Sequence, residues 1–260
     1  MELENIINFE NVYVNYDIDS STLRNINLKI KNNENWAILG ANGSGKSTLI
    51  KLFSNDLYPT TKYPFKKEIF GEENWNIFEL KKNLGIITND LHNTFGSQGK
   101  YITAYEVSSI QIFNHQDFTK EQHQKVLEVL EFLEILELKD KKVHQMSTGQ
   151  LRRCIIGRAL IHDPKAFILD EPTVGLDIKS QHSFIKLIQK LSKSASIIIV
   201  THHIEEIFEE ITHVALIHNK TIFKQGKKED ILTSKNLSEI FEIDIDLQKE
   251  NERYYIKSIK

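Results

Sequence analysis

Residues 36–48 read Trp36-Ala37-Ile38-Leu39-Gly40-Ala41-Asn42-Gly43-Ser44-Gly45-Lys46-Ser47-Thr48, and residues 40–47 follow the pattern G-x-x-x-x-G-K-[ST] of a phosphate-binding loop. A triphosphate needs several backbone N–H groups turned inward, and glycines let the chain curl around it without Cβ clashes. An apolar strand, Trp36–Leu39, precedes the loop. A helical run with Leu49, Ile50, Leu52 and Phe53 on one side follows it, which is the context a true loop requires. The helix, starting near Ser47, aims its positive dipole end at the same phosphates. Lys46 is placed to reach the β- and γ-phosphates, and the Ser47 hydroxyl to ligate Mg²⁺. The stretch predicts an α/β chain that binds a nucleoside triphosphate.

With 260 residues, 40% of them hydrophobic, the chain is long enough to bury one substantial core, and a single domain is expected. A formal net charge of −3 argues against a nucleic-acid binder, which carries a strongly basic face. The lone cysteine, Cys154, precludes an intrachain disulfide and suits a reducing compartment. Met1-Glu2-Leu3-Glu4-Asn5 is acidic and polar, unlike a secretory signal. No apolar run approaches the ~20 residues that span a bilayer. A cytoplasmic location is therefore expected, and any action on a membrane needs a partner to supply the span.

No repeat, low-complexity tract or flexible linker interrupts the chain. Residues 6–16 and 23–30 alternate apolar and polar (Val12, Val14, Tyr16; Leu23, Ile26, Leu28, Ile30), predicting antiparallel strands joined by the polar turn Asp17-Ile18-Asp19-Ser20. Trp36–Leu39, Ala166–Leu169 and Ile197–Val200 are continuous apolar runs, as in a parallel sheet covered on both faces. From about 121 to 138, apolar residues recur at helical spacing: Val126, Val129, Leu130, Leu133, Leu136. The resulting division is an antiparallel β part at 1–34, a core at 35–95 and 160–226, a helical insertion at 96–159 and a C-terminal extension at 227–260. Lys139-Lys141-Lys142 and Lys227-Lys228 read as solvated faces.

Three further clusters narrow the chemistry. Ala166-Phe167-Ile168-Leu169-Asp170-Glu171 ends a buried strand in two carboxylates, at the sheet edge where ligands of open α/β folds sit. Asp170 is placed to hold Mg²⁺ through a water, and Glu171 to orient or deprotonate an attacking water. Met146-Ser147-Thr148-Gly149-Gln150 precedes a helix carrying Leu151, Ile155, Ile156, Ala159 and Leu160. Ser147 and Gln150 have the spacing of a capping box, while a helix N-terminus with free N–H groups is also an anion site. Ile197-Ile198-Ile199-Val200-Thr201-His202 delivers one histidine to the same edge. His202-His203 lacks the i,i+4 spacing of a helical zinc pair.

In this order and spacing, the elements resemble the ATP-binding cassette (ABC) family over about residues 8–226. The resemblance implies a phosphate-loop NTPase fold, a RecA-like parallel core with an antiparallel β subdomain and a helical insertion, that binds and hydrolyses Mg²⁺–ATP. It implies that Tyr16 stacks on adenine, that Gly40, Asn42, Gly43, Ser44, Gly45, Lys46, Ser47 and Thr48 hold the phosphates, and that Ser47 and Asp170 bind the metal. Glu171 becomes the catalytic carboxylate and His202 the γ-phosphate switch. Ser147, Gly149 and Gln150 become the signature turn, and Asp177 the inter-subunit aspartate. In this family two cassettes associate head to tail, each ATP lying between one phosphate loop and the partner's signature turn. Tyr13 is a rival for the stacking role, and stacking alone does not separate adenine from guanine.

Two positions depart from the family pattern. Thr148 stands where the signature has glycine; threonine is costly at positive φ, so the turn is expected to use ordinary backbone angles. Leu84-Gly85-Ile86-Ile87-Thr88-Asn89 aligns with the family's glutamine loop but ends in Asn89, one methylene shorter; the resemblance implies that Asn89 touches the nucleotide site and that this loop transmits its state to a membrane subunit. Two functions follow from the resemblance. One is the ATP-hydrolysing subunit of a transporter, peripheral on the inner face of the cell membrane, with a separate permease docking near Asn89. The other is a permease-free soluble ATPase switch, since Phe70-Gly71, Phe78-Glu79-Leu80 and Leu84-Gly85 look similar to the ModF-like branch of cassettes.

Overall fold

The computed structural model describes residues 4–17, 20–99, 101–109 and 119–259. The strands are β1 (Asn5–Asp17), β2 (Ser20–Lys31), β3 (Trp36–Leu39), β4 (Lys66–Ile69), β5 (Leu84–Ile87), β6 (Ala166–Asp170), β7 (Ser196–Thr201), β8 (His213–His218), β9 (Thr221–Lys227), β10 (Ile245–Glu250) and β11 (Arg253–Ile259). The helices are α1 (Lys46–Phe53), α2 (Ile77–Asn83), α3 (Asn89–Gln98), α4 (Ala104–Ser109), α5 (Lys120–Phe132), α6 (Thr148–Leu160), α7 (Ile178–Leu191), α8 (Lys228–Ile231) and α9 (Ser234–Phe241). None of the described helices is long and apolar enough to cross a membrane.

A six-stranded sheet, ordered β5-β6-β7-β3-β8-β9, carries the molecule. Its pairs are parallel except the antiparallel edge pair β8–β9. Each central strand sends alternate residues to opposite layers, as strand geometry requires. Trp36, Ile38, Ala166, Ile168, Ile198 and Val200 enter the layer that also holds α1 and the antiparallel sheet. Ala37, Leu39, Phe167, Leu169, Ile197 and Ile199 enter the layer beneath the helices. Both faces are buried, so these strands have no polar alternate positions.

The antiparallel sheet is ordered β2-β1-β4; it draws on residues 66–69, beyond the expected boundary at 34. Along β2, Leu23, Ile26, Leu28 and Ile30 are buried, with a three-residue step after Leu23 where Asn25 takes φ 47°. Asn11 (φ 54°) does the same on β1, and the β1–β2 register shifts at both places. Asparagine tolerates this left-handed conformation better than other non-glycine residues, and the bulges keep the apolar face inward. Residues 18 and 19 of the expected turn, and Met1–Leu3, lie outside the described residues.

In the helical part, α5 begins with a capping box between Thr119 and Gln122 and buries Val126, Val129 and Leu130, with Leu133 just beyond its end. The helical part begins earlier than 96, because α3 starts at Asn89 with Thr88 as its cap. Two of the expected solvated lysines are otherwise engaged. Lys228 is only 5% exposed and donates to the carbonyls of Phe208 (3.3 Å) and Glu209 (2.9 Å), because these orphan carbonyls need a donor. Lys141 donates to Gln150 Oε1 at 3.1 Å. After α8 and α9 the chain ends in the hairpin β10–β11.

Candidate functional site

At the end of β3 the chain turns at Gly40, whose N–H donates to Thr201 O (3.3 Å). A Cβ here would lie 2.6 Å from Ile217 O and 2.8 Å from Ser44 Oγ, so only glycine lets the loop pass. The turn into α1 is made by Gly45 at φ 111°, and no side chain caps this helix. Its first N–H groups are therefore left for a ligand. Lys46 folds back over the loop, donating to Gly40 O (2.8 Å) and Ala41 O (3.1 Å). Burial depresses its pKa, while Glu171 and Asp170 oppose the shift. Ser44 Oγ is buried with no hydrogen-bond partner among the described residues. An orphaned hydroxyl beside uncapped N–H groups and a buried ammonium is a donor set that fits a triphosphate.

Asp170 closes β6, and its pKa rises to about 6: burial is the main cause, the Glu171 charge adds to it, and Lys46 opposes it. Glu171 follows at φ 45° with its N–H on Val200 O (2.8 Å), a left-handed conformation costing roughly 1–3 kcal/mol. The turn aims its carboxylate at His202, with Glu171 Oε1 2.6 Å from His202 Nδ1. The His202 and His203 rings lie 3.9 Å apart. A cavity of about 410 Å³ is lined by Thr22, Asn42, Lys46, Ser47, Asn89 and Asp170, with Glu171 beside them. The Ser47 hydroxyl and Asp170 carboxylate are hard oxygen donors of the type Mg²⁺ takes, usually together with substrate phosphates. Among the described residues no cluster of three or more His, Cys, Asp or Glu side chains could hold a metal ion by itself.

The Ser147 turn is built as expected and lies elsewhere. Ser147 Oγ accepts from Gln150 N (3.3 Å), and Gln150 Oε1 accepts from Ser147 N (3.1 Å). Thr148 is the first residue of α6 and keeps a negative φ. Asp177 caps α7, accepting from Ser180 N (3.0 Å) and Ser180 Oγ (2.7 Å); these hydrogen bonds hold its carboxyl below the usual range. A Cβ on Gly149 would sit 3.6 Å from Leu176 and 3.8 Å from Ser180, so the turn and the Asp177 cap share one surface. Neither Ser147–Gln150 nor Asp177 lines the cavity around Lys46. Tyr16 is on β1, but its side chain lies outside the described residues; Tyr13 packs against Tyr63 in a tilted pair with ring centroids 4.6 Å apart. A larger cavity, about 1100 Å³, is a separate groove lined by Ile178, Phe208 and Tyr254. It contains no phosphate-loop residue, so size does not identify the chemistry here.

Two residues not singled out from the sequence support the site. Arg152, on α6 and 5% exposed, donates to the carbonyls of Glu171 (3.2 Å), Pro172 and Val174 (2.6 Å) and to Asn89 Oδ1 (3.1 Å). Burial lowers its pKa, and the charges of Glu206, Asp170 and Glu171 oppose the shift. Glu206 Oε1 accepts from Thr173 N (2.7 Å) and Thr173 Oγ1 (2.5 Å). The available signal was position: Arg152 falls on the same helical face as Ile155, Ile156 and Ala159, where a cation needs buried acceptors.

Residues 23–174 match the ABC transporter family. The chain is 32% identical to the energy-coupling factor transporter ATP-binding protein EcfA3 of Clostridium perfringens, over 89% of this chain and 81% of that protein. Its fold is similar to that of cbiO1 from Clostridium perfringens, part of the ABC transporter complex cbiONQ, with a TM-score of 0.77, 28% identity and coverage of 91% of this chain and 94% of the other. It is also similar to an ATP-binding cassette in a dimeric post-hydrolysis state bound to ADP and Pi (TM-score 0.68, 25% identity, 85% of this chain and 98% of that one).

Proposed function

The chain belongs to the ABC transporter family and is an ATP-binding, ATP-hydrolysing subunit, and from that premise we propose that the whole chain, residues 1–260, works as one cassette whose active sites are completed by a second copy. Gly40–Thr48 hold the triphosphate, Lys46 takes its β- and γ-phosphates, and Tyr16 stacks on adenine. Ser47 and Asp170 would hold Mg²⁺, which would supply neutralisation of phosphate charge in this reaction class. Glu171 orients the attacking water and accepts its proton, with His202 steadying the carboxylate. The partner copy brings its Ser147, Gly149 and Gln150 turn and Asp177 to the open side, adding helix N–H groups where negative charge grows. Positioning and electrostatics do most of the work in such transfers.

One observation carries this reading: Lys46, Asp170 and Glu171 share a cavity that the Ser147 turn of the same copy does not line. Two similar cassettes support it, one solved as a dimer and one, cbiO1, that is part of the ABC transporter complex cbiONQ. A separate membrane permease docking near Asn89 is accordingly the second partner we propose. The test is Glu171→Gln. It keeps ATP binding, lowers turnover about 10²–10⁴-fold and accumulates an ATP-dependent dimer on size exclusion. A monomer that hydrolyses at the normal rate would overturn both the dimer and the role of Glu171. Pull-down from detergent-solubilised membranes tests the permease, with recovery of a multi-span partner as the expected result and a cytosolic partner alone as the contrary one.

A further inference from the structure

The four residues Glu171-Pro172-Thr173-Val174 join the catalytic carboxylate to the Asp177 cap, and they lie outside any helix or strand. Their backbone groups must find partners locally or be lost to burial. The N–H of Glu171 uses Val200 O, that of Val174 uses Glu171 O (3.3 Å), and Thr173 O accepts from Leu176 N (3.1 Å). Thr173 N–H is taken by Glu206. The other three carbonyls, of Glu171, Pro172 and Val174, all accept from a single guanidinium, that of Arg152. Arg152 and Glu206 grip this turn through its carbonyls and its N–H respectively, and both are nearly inaccessible (5% and 2% exposed). A planar fork of five donors is suited to this task and an ammonium is not.

One contact of Arg152 points away from the turn. Its Nη2 also donates to Asn89 Oδ1, and Asn89 lines the cavity that Lys46, Asp170 and Glu171 share. A side chain in the cavity wall is thus joined, through one guanidinium, to the backbone of the residue that handles the water.

We propose that Arg152 is a positioning residue for hydrolysis: it fixes the carbonyl side of the turn carrying Glu171 and couples that turn to Asn89. The inference rests on the hydrolytic role of Glu171 given above. When Asn89 engages a bound triphosphate, the shift in its amide reaches Glu171 through Arg152. Arg152 does not line the cavity, so its effect falls on the chemical step and not on ATP capture.

Steady-state hydrolysis, ATP affinity and thermal midpoint are measured on the full chain, with wild type first. Absence of hydrolysis by the wild type overturns the ATPase assignment itself and not this inference alone. Arg152→Gln is expected to lower kcat about 10²-fold, the cost typical of a misplacement near 1 Å, with KM for ATP within about threefold. Arg152→Lys, which keeps the charge without the fork, recovers only part of the rate. Asn89→Ala lowers kcat about tenfold, and the double variant is no slower than Arg152→Gln alone, as expected for residues acting in one network. A kcat for Arg152→Gln within about twofold of wild type, or single-variant losses that multiply in the double variant, overturns the proposal. Should Arg152→Gln fail to fold, the cycle of Arg152→Lys with Asn89→Ala decides by the same criterion.

Discussion

Two helix starts face the proposed reaction in opposite conditions. At α1 no side chain caps the helix, Ser44 Oγ has no partner among the described residues, and Lys46 is 7% exposed. At α6 the Ser147–Gln150 box is closed in both directions, Ser147 and Thr148 are exposed and Gly149 and Gln150 half-buried, and Lys141 holds Gln150 as well. The first is a site whose polar groups are left unsatisfied by its own chain, so a ligand has free energy to gain there. The second is complete in itself, and only its remaining N–H groups and its shared surface with Asp177 leave it something to offer a second copy. A phosphate site is therefore visible in one copy as a deficit, whereas a surface that acts in trans looks like ordinary capping.

Lys46→Ala should break the first region with the largest effect. Removing one partner of a buried, hydrogen-bonded charge pair costs about 2–5 kcal/mol, so ATP affinity should fall about 30-fold to 10³-fold or more, read by equilibrium binding. Ser147→Arg tests the other region: binding to the isolated copy should stay within about threefold of wild type, while hydrolysis is lost. Mixing the two inactive variants sharpens the contrast. In a head-to-tail pair one of the two sites is built from an intact phosphate loop and an intact turn, so activity should reappear on mixing. A mixture as inactive as its components would mean that the Ser147 turn does not act across copies.

Asp170→Asn is expected to have a modest effect on stability, opposite in sign to its effect on activity. The folded pKa of about 6 lies above the ordinary 3.8, so the native state binds the proton more readily than the unfolded chain. Ionised Asp170 thus lowers stability above about pH 6, and the cost fades as pH falls towards 3.8. After discounting for solvent screening, the substitution should stabilise the metal-free protein by about 1–2 kcal/mol at pH 8. The thermal midpoint should rise by roughly 2–6 °C, and the gain should be roughly half as large at pH 5. Mg²⁺-dependent turnover is lost in the same variant. A midpoint unchanged at pH 8 would show that Asp170 is not held at a cost to the fold.

The same contrast explains which parts of the molecule could be read from the chain. β3, β6 and β7 were legible because both of their faces are buried, and α5 because its apolar stripe has helical period. The loop at Gly40–Thr48 was legible because its constraints are local: Gly45 must take φ 111°, and the Lys46 ammonium returns only to carbonyls five and six residues earlier. The expected start of the helical insertion at 96 falls after the start of α3, because Asn89-Asp90-Leu91-His92-Asn93-Thr94 carries almost no apolar period. Its helix depends on the Thr88 cap and on Leu91 and Phe95 packing. Arg152 was not recognised because its acceptors lie 19–22 residues downstream and 63 upstream. Lys228 was misread because a buried lysine and a solvated one have the same letter; only the carbonyls of Phe208 and Glu209 distinguish them.

Thr148 supplies the finest test of the comparison. The family pattern has glycine there, which suggests a backbone that only glycine adopts, yet Thr148 is an ordinary first helical residue with negative φ. Thr148→Gly should therefore relieve no strain. It should add unfolded-state freedom instead and lower stability by about 0.3–1 kcal/mol, a shift of roughly 1–4 °C in the thermal midpoint. The capping bonds run between Ser147 and Gln150 and do not involve the Thr148 side chain, so hydrolysis should stay within about twofold of wild type. A rise in stability would mean that the turn prefers a left-handed residue in solution. A large gain in turnover at unchanged stability would mean that the threonine side chain obstructs the partner's phosphate, which would make position 148 a brake on the reaction in place of a neutral cap.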